Sequence, residues 1–134
     1  MIAPNTESMR LASALQRAAI APASHYAYVE LVTPSVANLR EHFAQKAKRA
    51  SGHRKAGYLM TKGFKGPFRR ALVILTRHAP RLVDSDNLAA LLKNVRDGVA
   101  DGLQVDDRDP SVIWHTQQVK AKTAAVSVSV WVLS

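Results

Sequence analysis

The sequence predicts a single α/β domain, built on a mixed β-sheet of about four strands with helices packed against it. Three observations carry that prediction. Ala71-Leu72-Val73-Ile74-Leu75-Thr76 is apolar on both faces, as in a central strand covered on two sides. Leu88, Leu91, Leu92, Val95, Val99 and Leu103 recur at steps of three and four residues, which is the stripe of an amphipathic helix. Ser111 to Val119 and Ala125 to Leu133 then read as strands, the second alternating Val126, Val128, Val130 and Val132 against Ser127, Ser129 and Trp131. A chain of 134 residues buries one ordinary core but not two independent ones.

Taken in order, residues 1–24 form an N-terminal extension to a domain over 25–134. Thr6 or Asn5 can cap a helix running through Ile20 with Leu11, Leu15 and Ala18 on one side, and the alanine-rich composition fits a frayed segment equally well. Tyr26 to Val32 alternates as a strand does, and Thr33-Pro34 ends it. Val36, Leu39, Phe43, Ala44 and Ala47 have helical spacing behind a capping Ser35, predicting a helix to about Lys48. Arg49 to Gly66, rich in Gly, Ser, Lys and Arg, reads as a loop. The central strand spans Arg70 to Arg77, and His78-Ala79-Pro80-Arg81 turns the chain toward Asp84. The amphipathic helix follows, with Gly102 placed to end it in a left-handed conformation. Lys120-Ala121-Lys122-Thr123 is expected to join the last two strands as a hairpin. Trp114 and Trp131 read as core or interface aromatics.

Charge is partitioned along the chain. The formal net charge is +9, and between Arg40 and Arg81 twelve basic residues stand against one acid, Glu41. A basic run can be no more than a solvated face. Here Tyr58 and Phe64 lie among the cations, so that phosphates and exposed bases would both find contacts, and a polyanionic partner is favoured. There is no cysteine, which excludes disulfides and thiolate zinc sites, and the five histidines lack ligand spacing. No apolar run approaches the roughly 18 residues of a membrane span, and charged residues interrupt any N-terminal apolar core, so the expected location is the cytoplasm.

Seven of the ten acidic residues (Asp84, Asp86, Asp97, Asp101, Asp106, Asp107 and Asp109) fall in the twenty-six positions that follow this basic segment. Asp84 and Asp86 sit at a helix start, where one carboxylate suffices to cap the free N–H groups. A second carboxylate, with Asp106 and Asp107 just past the helix, raises repulsion that a divalent cation would relieve. Oxygen ligands without His or Cys suit Mg²⁺, with Mn²⁺ as a substitute. The helix between them is about 24 Å long at roughly 1.5 Å per residue, so the chain must double back, or a second copy must supply the other acids.

The ordered set Asp84-x-Asp86-Asn87-Leu88, amphipathic helix with Lys93 and Asp97, then Asp106-Asp107 and two strands resembles the RusA-type Holliday junction resolvases of phages and prophages. The resemblance covers roughly Tyr26 to Leu133, making 25–134 a RusA-like nuclease domain. It implies a homodimeric, Mg²⁺-dependent endodeoxyribonuclease that resolves four-way DNA junctions by paired nicks in a bacterial host cell. By position, it implies metal-binding carboxylates at Asp84, Asp86 and Asp107 with Asp106 beside them, and a catalytic lysine. The family's lysine falls on Ala90 here, and Lys93 takes its place with a three-residue insertion. The family's early Pro-Ser-x-Asn element is approximated by Pro34-Ser35-Val36-Ala37-Asn38. Arg54, Lys55, Lys62, Lys65, Arg69 and Arg70 are then expected to hold flanking phosphates. Three alternatives compete: a Mg²⁺-dependent phosphodiesterase acting on another branched DNA or on RNA, a non-catalytic nucleic-acid-binding protein, and a structural interaction protein.

Overall fold

The expected central strand and the helix behind it form the middle of the molecule. The computed structural model describes residues 6–33, 43–64 and 66–134, with the backbone alone of Thr6 and Glu7. Among these it has three helices, α1 (Thr6–Ile20), α2 (Phe43–Thr61) and α3 (Ser85–Leu103). Its four strands are β1 (His25–Glu30), β2 (Ala71–Ala79), β3 (Val112–Lys120) and β4 (Ala125–Val132). They make one mixed sheet in the order β1-β4-β2-β3, and the whole is a single small α/β domain. No helix among the described residues is long and apolar enough to cross a membrane.

Strand β2 pairs parallel with β3 and antiparallel with β4, in a register that sets Leu72 opposite Ile113 and Trp131 and Ile74 opposite His115 and Ser129. A parallel neighbour requires a long crossover, and α3 is that crossover. The expected hairpin between the last two strands is therefore not formed: β4 passes to the far side of β2 and pairs with β1 as well. Burial explains the choice. Ala125, Val126, Val128 and Val130 are all fully buried, a demand met between two strands and not on the outside of edge strand β3.

Alternation along the strands gives the sheet two apolar faces. On one, Val73, Leu75, Val126, Val128 and Val130 meet Leu88, Leu92, Val95 and Val99 of α3 and Met60 of α2. On the other, Leu72, Ile74 and Leu133 meet Ala14, Leu11, Leu15 and Ala18 of α1. Of the two readings open for the N-terminal segment, the helix is the one formed. It is tied down by Arg17 Nη2 donating to Leu133 O (2.7 Å), by Arg10 Nη2 donating to Pro110 O (2.6 Å) and, just after it, by Trp131 Nε1 donating to Ala21 O (2.9 Å).

The segment from Arg49 to Thr61 is helix and not loop; the start of the expected helix over 35–42 lies outside the described residues. Its glycines are there for close approach. A Cβ on Gly57 would meet Val95 O and come within 2.9 Å of Val99 N, and one on Gly98 would meet Arg54 O and come within 2.9 Å of Tyr58 N. The two helix backbones touch at these points, which only glycine permits. Gly102 belongs to the same seam, facing Thr61 and lying within the helix. The left-handed residue that ends α3 is Gln104 instead (φ 59°, ψ 42°), its N–H reaching the carbonyls of Ala100 and Asp101.

Smaller differences concern strand ends. β2 continues through His78 and Ala79 before the chain turns, because its pairing with β3 extends to Lys120, and β1 stops at Glu30, two residues early.

Candidate metal and nucleic-acid site

Asp84 stands where β2 hands over to α3, and the turn that carries it is held from two sides. Buried Arg77, on β2, donates through Nε to Thr33 Oγ1 (2.9 Å) and through Nη1 to Arg81 O (2.8 Å); burial pushes its pKa down. From β3, the Gln118 amide clamps Val83, accepting from its N–H (3.0 Å) and donating to its carbonyl. The next residue, Asp84, takes extended backbone and caps α3: Oδ1 accepts from Asn87 N (2.9 Å) and Oδ2 from Asn87 Nδ2 (3.2 Å). Asp86 is exposed in the first turn.

The remaining acids gather at the other end of α3, which spans about 28 Å at roughly 1.5 Å per residue. Lys93, Asp97 and Asp101 lie four apart and so share one face of the helix. With Arg54, Asp106, Asp107 and Arg108 they line an open groove of about 800 Å³ between α2, α3 and the turn after α3. Asp101 accepts a two-pronged hydrogen bond from Arg54, Nε to Oδ2 at 2.7 Å and Nη2 to Oδ1 at 3.1 Å, in a half-exposed pair. That bond holds the Asp101 carboxyl below its usual range and raises Arg54.

The return segment folds on itself. Asp109 N donates to Asp106 O (3.0 Å), Arg108 N to Asp106 Oδ1 (2.9 Å) and Ser111 N to Asp109 Oδ1 (2.9 Å). Arg96, midway along α3, donates from Nη2 to Asp107 O (3.2 Å) and anchors the turn beside the helix. The structure thus brings Asp106, Asp107 and Lys93 into one groove and leaves Asp84 and Asp86 at the opposite end of the helix. Among the described residues no three His, Asp or Glu side chains are grouped to hold a metal ion.

The cations expected on phosphates are spread over several surfaces. Arg54 is committed to Asp101; Lys55 lines a groove between α2 and β1; Lys62 faces the end of α3 beside Gln104. Arg69 and Arg70 are exposed ahead of β2, and Lys65 lies outside the described residues. Sequence reasoning singled out neither Asp101 nor Arg108 as groove residues, although the four-residue spacing of Lys93, Asp97 and Asp101 is the signal that identifies the first.

Three depressed carboxyls fix the acid behaviour of this end. Asp106 is lowered first by the Arg108 amide and then by the adjoining Asp107 carboxyl, and Asp109 by the Ser111 amide and then its hydroxyl. A group whose folded pKa lies below its unfolded value, near 4 for aspartate, contributes stability above that value and loses it as pH falls through the folded pKa. The turn should therefore hold unchanged from neutrality to about pH 4 and loosen below it. Backbone amide spectra should show the Arg108 signal following Asp106 and the Ser111 signal following Asp109, each with a midpoint under the ordinary aspartate value; midpoints above it would contradict the turn geometry.

No protein-family model matches the chain, and a search of curated proteins returns no match either.

Proposed function

We propose that this protein is a Mg²⁺-dependent endodeoxyribonuclease of the RusA type, acting as a homodimer on four-way DNA junctions. The observation that carries the reading is the β2–α3–β3 unit: Asp84-x-Asp86-Asn87-Leu88 forms the cap and first turn of α3 and Asp106-Asp107 the connection leaving it. The donor set fits the metal, since it consists of carboxylate oxygens on exposed segments. One chain gathers no three of them among its described residues, so the dimer is part of the proposal. Asp84, Asp86 and Asp107, with Asp106 beside them, would hold the ion. Bound Mg²⁺ supplies a more acidic water and neutralises charge on the scissile phosphate.

The chain's own residues do the rest. Lys93 places an ammonium in the groove that contains Asp106 and Asp107, where it stabilises charge building on the phosphate oxygens. Lys55, Lys62, Arg69 and Arg70 are exposed cations that position flanking phosphates without reading sequence. Arg54 contributes less, being spent on Asp101.

A second reading, a protein that binds nucleic acid without cutting it, is favoured by one observation: Asp84 and Asp101 already have structural partners in Asn87 and Arg54. The two readings part on a single assay. A labelled four-way junction should be nicked at symmetric positions when Mg²⁺ is present and left intact in chelator. Binding without nicking at any divalent ion would select the second reading. Faster cutting of flaps, duplex or RNA in the same panel would select a different phosphodiesterase.

A further inference from the structure

Beside the groove, and sharing Asp107 and Arg108 with it, a pocket of about 480 Å³ opens between α1, the turn after α3 and β3. Three arginines from three elements line it: Arg10 of α1, Arg96 of α3 and Arg108 of the turn. Its inner wall is Trp114, with the Arg96 guanidinium stacked 4.7 Å from the ring centroid. Two donors on this wall are buried without an acceptor, Arg96 Nε and Trp114 Nε1. Both atoms are closed off from solvent, so they set a positive, unpaired wall behind the Arg10 and Arg108 side chains that line the mouth. Asp107 and Asp109 also line the pocket, but the Asp109 carboxylate is engaged by Ser111 N, and Asp107 presents its carbonyl to Arg96. Arginine forks match the oxygens of a phosphate, and Arg10, with Nη2 on Pro110 O, keeps its other guanidinium donors for one.

We propose that this pocket is a phosphate subsite that seats one backbone phosphate of the bound polynucleotide on the α1 side of the molecule. The inference rests on the polynucleotide-binding part of the proposed function and is independent of cleavage. It also gives α1 a role beyond covering the sheet, because Arg10 reaches the site only while that helix is docked.

The experiment uses the full chain carrying Trp131→Phe, which leaves Trp114 as the single tryptophan. Its emission is followed without Mg²⁺, at constant ionic strength, on titration with a twelve-residue single-stranded oligonucleotide and separately with orthophosphate. A saturable change with the oligonucleotide, reversed by millimolar orthophosphate and weakened about tenfold or more by Arg10→Gln or Arg108→Gln, is the expected result. Arg96→Lys keeps a cation over the ring but gives up the guanidinium bond to Asp107 O, and should weaken binding too. Lys122→Gln, in the β3–β4 connection, should change nothing. No saturable response to the oligonucleotide, equal affinity in the Arg10 and Arg108 variants, or an oligonucleotide response that orthophosphate does not reverse would each overturn the assignment. Because the readout needs neither metal nor cutting, failure here with junction nicking retained removes only the subsite, and the converse removes only the nuclease.

Discussion

Gly98→Ala should destabilise the protein by roughly 3 kcal/mol or more, an overpacking cost, although alanine is the better helix former by about 1 kcal/mol. The two effects oppose each other and geometry decides. An added Cβ would meet the Arg54 carbonyl oxygen and lie 2.7 Å from the carbon beneath it, and backbone atoms cannot rotate away as a side chain can. Relief requires α2 and α3 to separate, which uncovers Val95 and Val99, both fully buried. Gly52 supplies the control on the same pair of helices: a Cβ there meets nothing within 4 Å, so Gly52→Ala should stabilise by up to about 1 kcal/mol through propensity alone. Urea unfolding of the two variants should shift the midpoint in opposite directions. A Gly98→Ala protein as stable as the parent would mean that the helices do not meet at this seam.

These glycines also mark where sequence reasoning stops. Gly52 and Gly57, with Ser51 and a run of cations, are loop composition by local propensity, and residues 43–61 form a helix packed on α3, which comes close where Gly57 lacks a side chain. What depended on local periodicity was legible: the doubly covered strand over 71–76, the stripe from Leu88 to Leu103 and a helix start among Asp84, Ser85 and Asp86, of which Asp84 proves to be the cap. What depended on long-range pairing was not. The alternating valines of β4 are equally compatible with a hairpin on β3 and with an interior place beside β2, and only the demand for burial on both sides selects the latter. The path of Asp106 and Asp107 lies beyond local rules too, since it is set by a left-handed Gln104 and by the hold of Arg96 on the Asp107 carbonyl. Trp114 was readable as a packed aromatic; that an arginine lies over it and that its N–H lacks an acceptor are properties of the assembled sheet and helix.

Asp84→Asn should leave the melting temperature nearly unchanged and reduce junction nicking by two orders of magnitude or more if Asp84 helps hold the metal. Asparagine caps a helix about as well as aspartate, its Oδ1 still accepting from Asn87 N; the bond from Asn87 Nδ2 to Oδ2 survives only if the Asn87 amide turns over to accept, and a few tenths of a kcal/mol of charge–dipole attraction are lost. Structure and chemistry are thereby separated at one residue. Asp84→Ala would confound them, costing about 1 kcal/mol through the missing cap as well. Asp86→Asn, exposed in the first turn, should behave like Asp84→Asn, and nicking at the parent rate would remove the site. The separation of Asp86 from Asp107 along α3 turns the same variants into a test of assembly. If each site draws Asp86 from one copy and Asp107 from the other, mixing inactive Asp86→Asn with inactive Asp107→Asn places both defects in one site of each heterodimer and leaves its second site intact. Half the dimers in an equilibrated mixture are heterodimers, so single-strand nicking should return to about a quarter of the parent rate, without paired cuts. A site built within one chain gives no recovery, because both sites of every heterodimer then carry a defect.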